Sequence, residues 1–252
     1  MGWWIGVDGR SAPAGTETPH GTFSPAAAVT YRDGMTFIFG VDLDGVCGEY
    51  TAALAPIVAT YQGRPVSELA PPTTWDFADW GLDRDTFVEL HRSAVLEHRI
   101  FRTMPAMIGV AEVLWRLSDA GVWIRVISHR LAVNWGHAVA VSDTVEWLDE
   151  TGIPYRDLCF LGAKPQVEAD LYIDDAPHNI EALRAQGNEV IVFDAAYNRH
   201  LDGPRASDWT EVEQLVIDAA SAAGMPVQTQ FGGLVEPNER LGSRLDPPTE
   251  RP

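Results

Sequence analysis

Thr36-Phe37-Ile38-Phe39-Gly40-Val41-Asp42-Leu43-Asp44-Gly45 is the stretch that decides the fold. An apolar, β-prone run ends abruptly in two carboxylates, which reads as a buried strand delivering acids to its C-terminal end. In open parallel α/β sheets, that edge is where ligands bind. Carboxylates are costly to bury unless paired, hydrogen-bonded or bound to a cation. The pair therefore asks for a metal, a chemical role, or both.

Outward from this stretch the chain alternates strand and helix. Strands are expected at Thr36–Asp42, Val122–Ser128, Leu158–Leu161, Leu171–Asp174 and Val190–Asp194. Helices are expected near Tyr50–Tyr61, Asp85–His98, Ile108–Ala120, Ser142–Thr151, Asn179–Gln186 and Trp209–Ala222. Gly121, Gly152 and Gly187 follow amphipathic stretches as helix stops. Short apolar strands separated by helices imply an α/β fold: a Rossmann-like three-layer α/β/α core with a mostly parallel sheet. One interval, Val46 to Gly121, is far longer than a single crossover helix. It reads as a helical cap inserted after the first strand, placed to exclude water from the acid edge. The core is then 35–45 plus 122–222.

The two ends differ in composition. Residues 1–34 are rich in Gly, Pro, Ala, Ser and Thr and are expected to be a disordered extension, with the functional start near Met35. Residues 223–252 read as a flexible tail.

Length and charge narrow the classes. The chain has 252 residues, suiting one domain with an insertion or two modest ones, and its 46% hydrophobic and 21% charged content can build a real core. A formal net charge of -18 disfavours nucleic-acid polymers and anionic membrane surfaces as partners. A small phosphorylated substrate fits, because a metal and a few local cations can dominate a site. Cys47 and Cys159 form no CxxC pair or Cys/His cluster, so zinc is not expected. They read as reduced thiols in a cytoplasmic protein. No apolar run approaches a membrane span. A homo-oligomer is compatible with the sequence but not legible in it.

Four features fall at or just after expected strand ends: Asp42/Asp44; Ser128 in Ile124-Arg125-Val126-Ile127-Ser128-His129-Arg130; Lys164; and Asp174-Asp175 after Leu171-Tyr172-Ile173. Parallel strands share their C-terminal edge, so these groups converge. Together they offer oxygen ligands for a hard cation, a nucleophile, a proton donor and phosphate contacts. In this order the motifs resemble the haloacid dehalogenase superfamily of phosphohydrolases, from Met35 to about Ala220. Within it the chain looks most like the 5'(3')-deoxyribonucleotidase-type nucleotidases. That likeness rests on Asp42-Leu43-Asp44-Gly45-Val46, on Lys164 ahead of Ala169-Asp170-Leu171-Tyr172-Ile173-Asp174-Asp175, on Tyr197-Asn198-Arg199 and on the long cap.

The resemblance implies roles. Asp42 would be the nucleophile forming an aspartyl-phosphate, Asp44 the acid/base, and Lys164 the neutraliser of charge. Ser128 would hold a phosphoryl oxygen. Mg²⁺ would bind the Asp42 carboxylate, the Asp44 backbone carbonyl and an Asp174 or Asp175 carboxylate. The expected reaction is phosphomonoester hydrolysis, with (deoxy)nucleoside monophosphates as substrates. A phosphatase of another small metabolite and a catalytically silent binding fold stay open. Around the site, His129 and Arg130 are candidate substrate contacts. Trp75 and Phe77, with Trp80 and Phe101, either stack on a nucleobase or form the cap core. Cys47 reads as a small buried residue without a basic partner.

Overall fold

The computed structural model describes residues 36–132 and 135–225. The expected N-terminal extension, the start near Met35 and the tail beyond residue 225 lie outside the described residues.

Six parallel strands form one sheet: β1 (Ile38–Val41), β2 (Trp123–Ser128), β3 (Asp157–Phe160), β4 (Leu171–Asp174), β5 (Val190–Phe193) and β6 (Arg205–Ala206). Their order is β3-β2-β1-β4-β5-β6. The acid-bearing β1 therefore lies centrally, with Val41 in register with Val126 of β2 and Ile173 of β4. Strand order reverses at β1, the switch point at which such sheets open a crevice for ligands.

Alternation along each strand sorts side chains to two faces. Phe39, Val41, Ile124, Val126, Leu171, Ile173, Ile191 and Phe193 join the larger core cluster. Ile127, Tyr172, Val190 and Val192 join a smaller one with Ile180 and Leu183. The larger face is covered by α4 (Val110–Asp119), α5 (His137–Thr151) and α7 (Trp209–Ala222), the smaller by α6 (Pro177–Ala185). Gly40 points to the smaller face, where a Cβ would come within 3.0 Å of both Ile127 Cδ1 and Tyr172 Cδ1, or closer. Asp208 starts α7 by accepting from the backbone N–H groups of Thr210 and Glu211, an N-cap that satisfies otherwise orphaned donors. No helix among the described residues is long and apolar enough to cross a membrane.

The cap comprises α1 (Tyr50–Gln62), α2 (Arg84–Leu96) and the short α3 (Ile100–Thr103). Its two ends meet. Glu49 N–H donates to the Pro105 carbonyl at 2.8 Å, and Met107 N–H donates to the Cys47 carbonyl at 2.7 Å. This antiparallel stem brings the two ends of the insertion together inside the expected 46–121 interval. The insertion closes near residue 105, and α4 packs on α7 and β2 as a core helix. In sequence α4 is amphipathic and continuous with the cap helices. The cap rests on α5: Arg99 pairs with buried Asp143, and Trp147 Nε1–H donates to the Met104 carbonyl.

The five expected strands and six expected helices all form, with ends displaced by a few residues. The sequence reading missed β6 and α3. A two-residue strand and a four-residue helix carry no periodicity to detect.

Candidate active site

β1 ends at Val41, so Asp42 leaves the sheet while still bonded to it: its N–H donates to the Ile173 carbonyl of β4. The chain then turns back at once. Cys47 and Gly48 N–H groups both donate to the Leu43 carbonyl, and Gly45 N–H donates to the Gly48 carbonyl. Gly45 has φ +84°, and a Cβ there would stand 2.1 Å from Asp175 Oδ2. Both the turn and the second acid pair thus require glycine.

Asp42, Asp174 and Asp175 each place a carboxylate oxygen within 4.8 Å of the others. One cation serves them. Lys164 Nζ lies 2.5 Å from Asp42 Oδ1 and 2.6 Å from Asp174 Oδ2. The other Asp174 oxygen accepts from the Ala176 N–H and from Asn179 Nδ2. Asp175 accepts from the Tyr197 hydroxyl, while Asn198 Nδ2 donates to the Asp175 and Phe193 carbonyls. All four charged groups are buried.

Burial is the largest influence on this cluster. It pushes Asp42 up to about 7 against the pull of Lys164, and it raises Asp175 well above the carboxylate range. Burial alone would lower Lys164, but Asp174 and Asp42 hold its ammonium above the usual value. Three buried carboxylates facing one ammonium carry surplus negative charge in a low dielectric. An all-oxygen donor set with surplus charge fits a hard divalent cation.

Asp44 stands apart. Arg130 grips it through both oxygens, Nη2 at 2.7 Å and Nε at 3.1 Å. Its carboxylate is outside the three-acid cluster, so any ligation by Asp44 would fall to its backbone. Arg130 is itself buried, with Nη1 donating to Thr144 Oγ1 and its guanidinium 4.2 Å from the Phe101 ring centroid. Expected as a substrate contact, Arg130 has its donors committed to Asp44, Thr144 and Met104 Sδ. Ser128 is buried, and its Oγ accepts the Arg130 N–H at 3.2 Å, leaving the hydroxyl proton free to be donated. Burial, then the nearby Lys164, lowers His129 to about 4, and its buried Nε2 has no partner.

The cap aromatics divide. Phe77 is 6% exposed and enclosed by Tyr50, Trp80 and Phe87. Trp75 is 37% exposed and meets His178 of α6 edge-on at 4.5 Å between ring centroids. Cys47 is buried with its thiol directed at the Asp42 carbonyl. Sequence reasoning missed Asn179 and Thr144, ordinary polar residues whose only signal is their position on the helices following β4 and β2. Tyr197 and Asn198 were visible after β5, but their task of bracing Asp175 was not.

A central strand thus ends in paired acids, with a buried lysine in the turn after β3 and a second acid pair at the end of β4. The model of the family described as "5' nucleotidase, deoxy (Pyrimidine), cytosolic type C protein" matches residues 36–222, and the chain belongs to that family of phosphatase enzymes. It is 41% identical over 182 residues to a Chlorobaculum tepidum protein named "Putative 5'(3')-deoxyribonucleotidase", covering 72% of this chain and 90% of that one. It is 25% identical over 186 residues to the Bacillus subtilis 5'(3')-deoxyribonucleotidase, covering 73% and 100%. A Deinococcus radiodurans HAD family hydrolase, solved with bound phosphate and sodium, shares the fold at a TM-score of 0.52 and 17% identity, covering 74% and 97%.

Proposed function

We propose that the protein hydrolyses (deoxy)nucleoside monophosphates, with Asp42 as nucleophile and Mg²⁺ as cofactor. The observation that carries this reading is the Asp42 carboxylate, held at the end of β1 by Lys164 beside two further buried acids. The named nucleotidases among its relatives support the substrate class.

Asp42, Asp174 or Asp175 and the Asp44 carbonyl would hold the ion. Bound there, it supplies charge neutralisation between an anionic nucleophile and an anionic phosphate. Asp42 Oδ attacks phosphorus, forming the aspartyl-phosphate as the ester oxygen leaves. Asp44 gives that oxygen a proton, then takes one from the water that releases phosphate and restores Asp42. Lys164 favours the anionic form of Asp42 against the effect of burial and aims it. Ser128 donates its hydroxyl to a phosphoryl oxygen, and His129 Nε2, buried without a partner, is placed for a further substrate contact. Trp75, partly exposed and edge-on to His178 of α6, is the candidate base contact. Two free cysteines and an acidic surface suit a small-molecule enzyme of the cytoplasm.

The test is phosphate release from a panel of phosphomonoesters with Mg²⁺ or EDTA. Release from nucleotides is expected, lost in EDTA and in Asp42→Asn. Preference for sugar phosphates would overturn the substrate assignment, and no turnover of any ester would overturn the enzyme mechanism.

A further inference from the structure

Arg130 is the most heavily constrained cation at the mouth, and the reaction as written gives it nothing to do. Its side chain is 1% exposed. One edge of the guanidinium meets both oxygens of Asp44. Nη1 donates to Thr144 Oγ1 at 2.8 Å, and that hydroxyl in turn donates to the Ala140 carbonyl inside α5. Nη2 also points at Met104 Sδ, 3.8 Å away. The flat face lies 4.2 Å from the Phe101 centroid and 5.7 Å from that of Trp147. Phe101 and Met104 belong to the returning limb of the cap, Thr144 and Trp147 to α5. A planar fork held on its face, its edge and its far nitrogen has one orientation left.

We infer that Arg130 is a positioning residue: it fixes the Asp44 carboxyl for proton exchange with the leaving oxygen and the attacking water, and the seating of Phe101 and Met104 fixes Arg130. The seating of the cap's returning limb and the acid/base geometry are thereby coupled. This rests on the proposed role of Asp44.

Two rotatable bonds, Cα–Cβ and Cβ–Cγ, separate the Asp44 carboxyl group from the chain, enough freedom to miss a leaving oxygen by more than an ångström. Such an offset costs orders of magnitude in rate. Nothing else among its recorded side-chain contacts restrains it. The Lys164 cluster keeps its own bonds without Arg130, so formation of the aspartyl-phosphate with an easily expelled group survives its loss.

The test compares two leaving groups. A nucleoside alkoxide must be protonated as it departs, whereas p-nitrophenolate leaves with its electron pair and needs no proton. In Arg130→Met, kcat for a nucleoside monophosphate should fall about 100-fold with KM within about threefold, while the first-turnover burst of p-nitrophenolate from p-nitrophenyl phosphate loses less than about fivefold. Arg130→Lys, a point charge without the fork, should fall between. Phe101→Leu, which leaves the ion pair but removes its platform, should show the same split at about 5- to 10-fold. Circular dichroism establishes folding, and Phe101→Leu and Arg130→Lys decide the matter if Arg130→Met does not fold. Equal losses on both esters, a change confined to KM, or no loss would overturn the inference while the unaltered enzyme and its inactive Asp42→Asn variant uphold the proposed function. Failure of the unaltered enzyme to release phosphate from any ester would overturn both.

Discussion

Two carboxylate–cation arrangements stand a few residues apart at the end of β1, and they are built on opposite principles. Around Lys164 the count is unequal: three buried acids and one ammonium. Around Arg130 it is one to one, bidentate, and lodged on an aromatic face. The first carries more acid than its one ammonium can balance, and burial pushes Asp42 and Asp175 upward. The second is complete as it stands. The difference teaches that charge balance separates a binding site from a structural clamp better than acidity does. Residue choice follows the same line. Lys164 is the single lysine of the chain. A compact ammonium can sit between two carboxylates and leave room for a phosphate, while the planar fork of arginine suits one fixed partner.

Removal of divalent cation is the strongest test of the contrast. EDTA should reduce phosphate release to background, and Mg²⁺ should restore it. In thermal melts, Mg²⁺ at a hundred times its Kd should stabilise the fold by about 2.7 kcal/mol, roughly 5–10 °C for a domain of this size. Asp175→Asn should abolish that gain yet melt no lower than the unaltered protein in EDTA, because it relieves repulsion. A lower melt would mean that the cluster is balanced without a metal. Asp44→Asn should behave the other way. It strands a buried guanidinium and should cost about 2 kcal/mol, less than the 3–5 of a fully buried pair since Asp44 is partly exposed. That loss should be the same with and without Mg²⁺; a cation-dependent loss would merge the two arrangements.

The smallest effect concerns His91, which faces Tyr50, Phe87, Phe101 and Trp135 and feels Asp44 and Arg130. Burial lowers its pKa, so below about 6.5 the unfolded chain takes up a proton that the folded chain resists. Stability present above that pH is therefore lost as pH falls. His91→Gln should make the decline in melting temperature between pH 7.5 and 5.5 shallower. An unchanged slope would mean that Asp44 offsets the burial of His91 completely.

How legible these features were depended on the range of the interaction. Strand runs, helix stops and the order Asp42, Ser128, Lys164, Asp174-Asp175 are local patterns, and each emerged where the sequence placed it. The partnership of Asp44 with Arg130 spans 86 residues and has no local mark. Arg130 could be seen as a cation near the site, but its orientation depends on Phe101 and Thr144 from two different helices. Phe77 illustrates the same limit. Its aromatic neighbours were visible in the cap, but whether they faced each other or a ligand was decided by packing. The packing of α4 had no local mark either: it looks like its predecessors in sequence, and its contacts with α7 and β2 emerge only in the fold.

The backbone pairing near residue 105 has a consequence for how such enzymes diversify. Because the chain leaves the core at Gly48 and returns to it at Ala106 side by side, the sheet meets the whole insertion as a two-ended plug, much as a socket meets a cable. Longer or differently shaped inserts can be spliced there without displacing any strand. The acid-bearing strand end and the insertion are thereby joined through one short backbone stem.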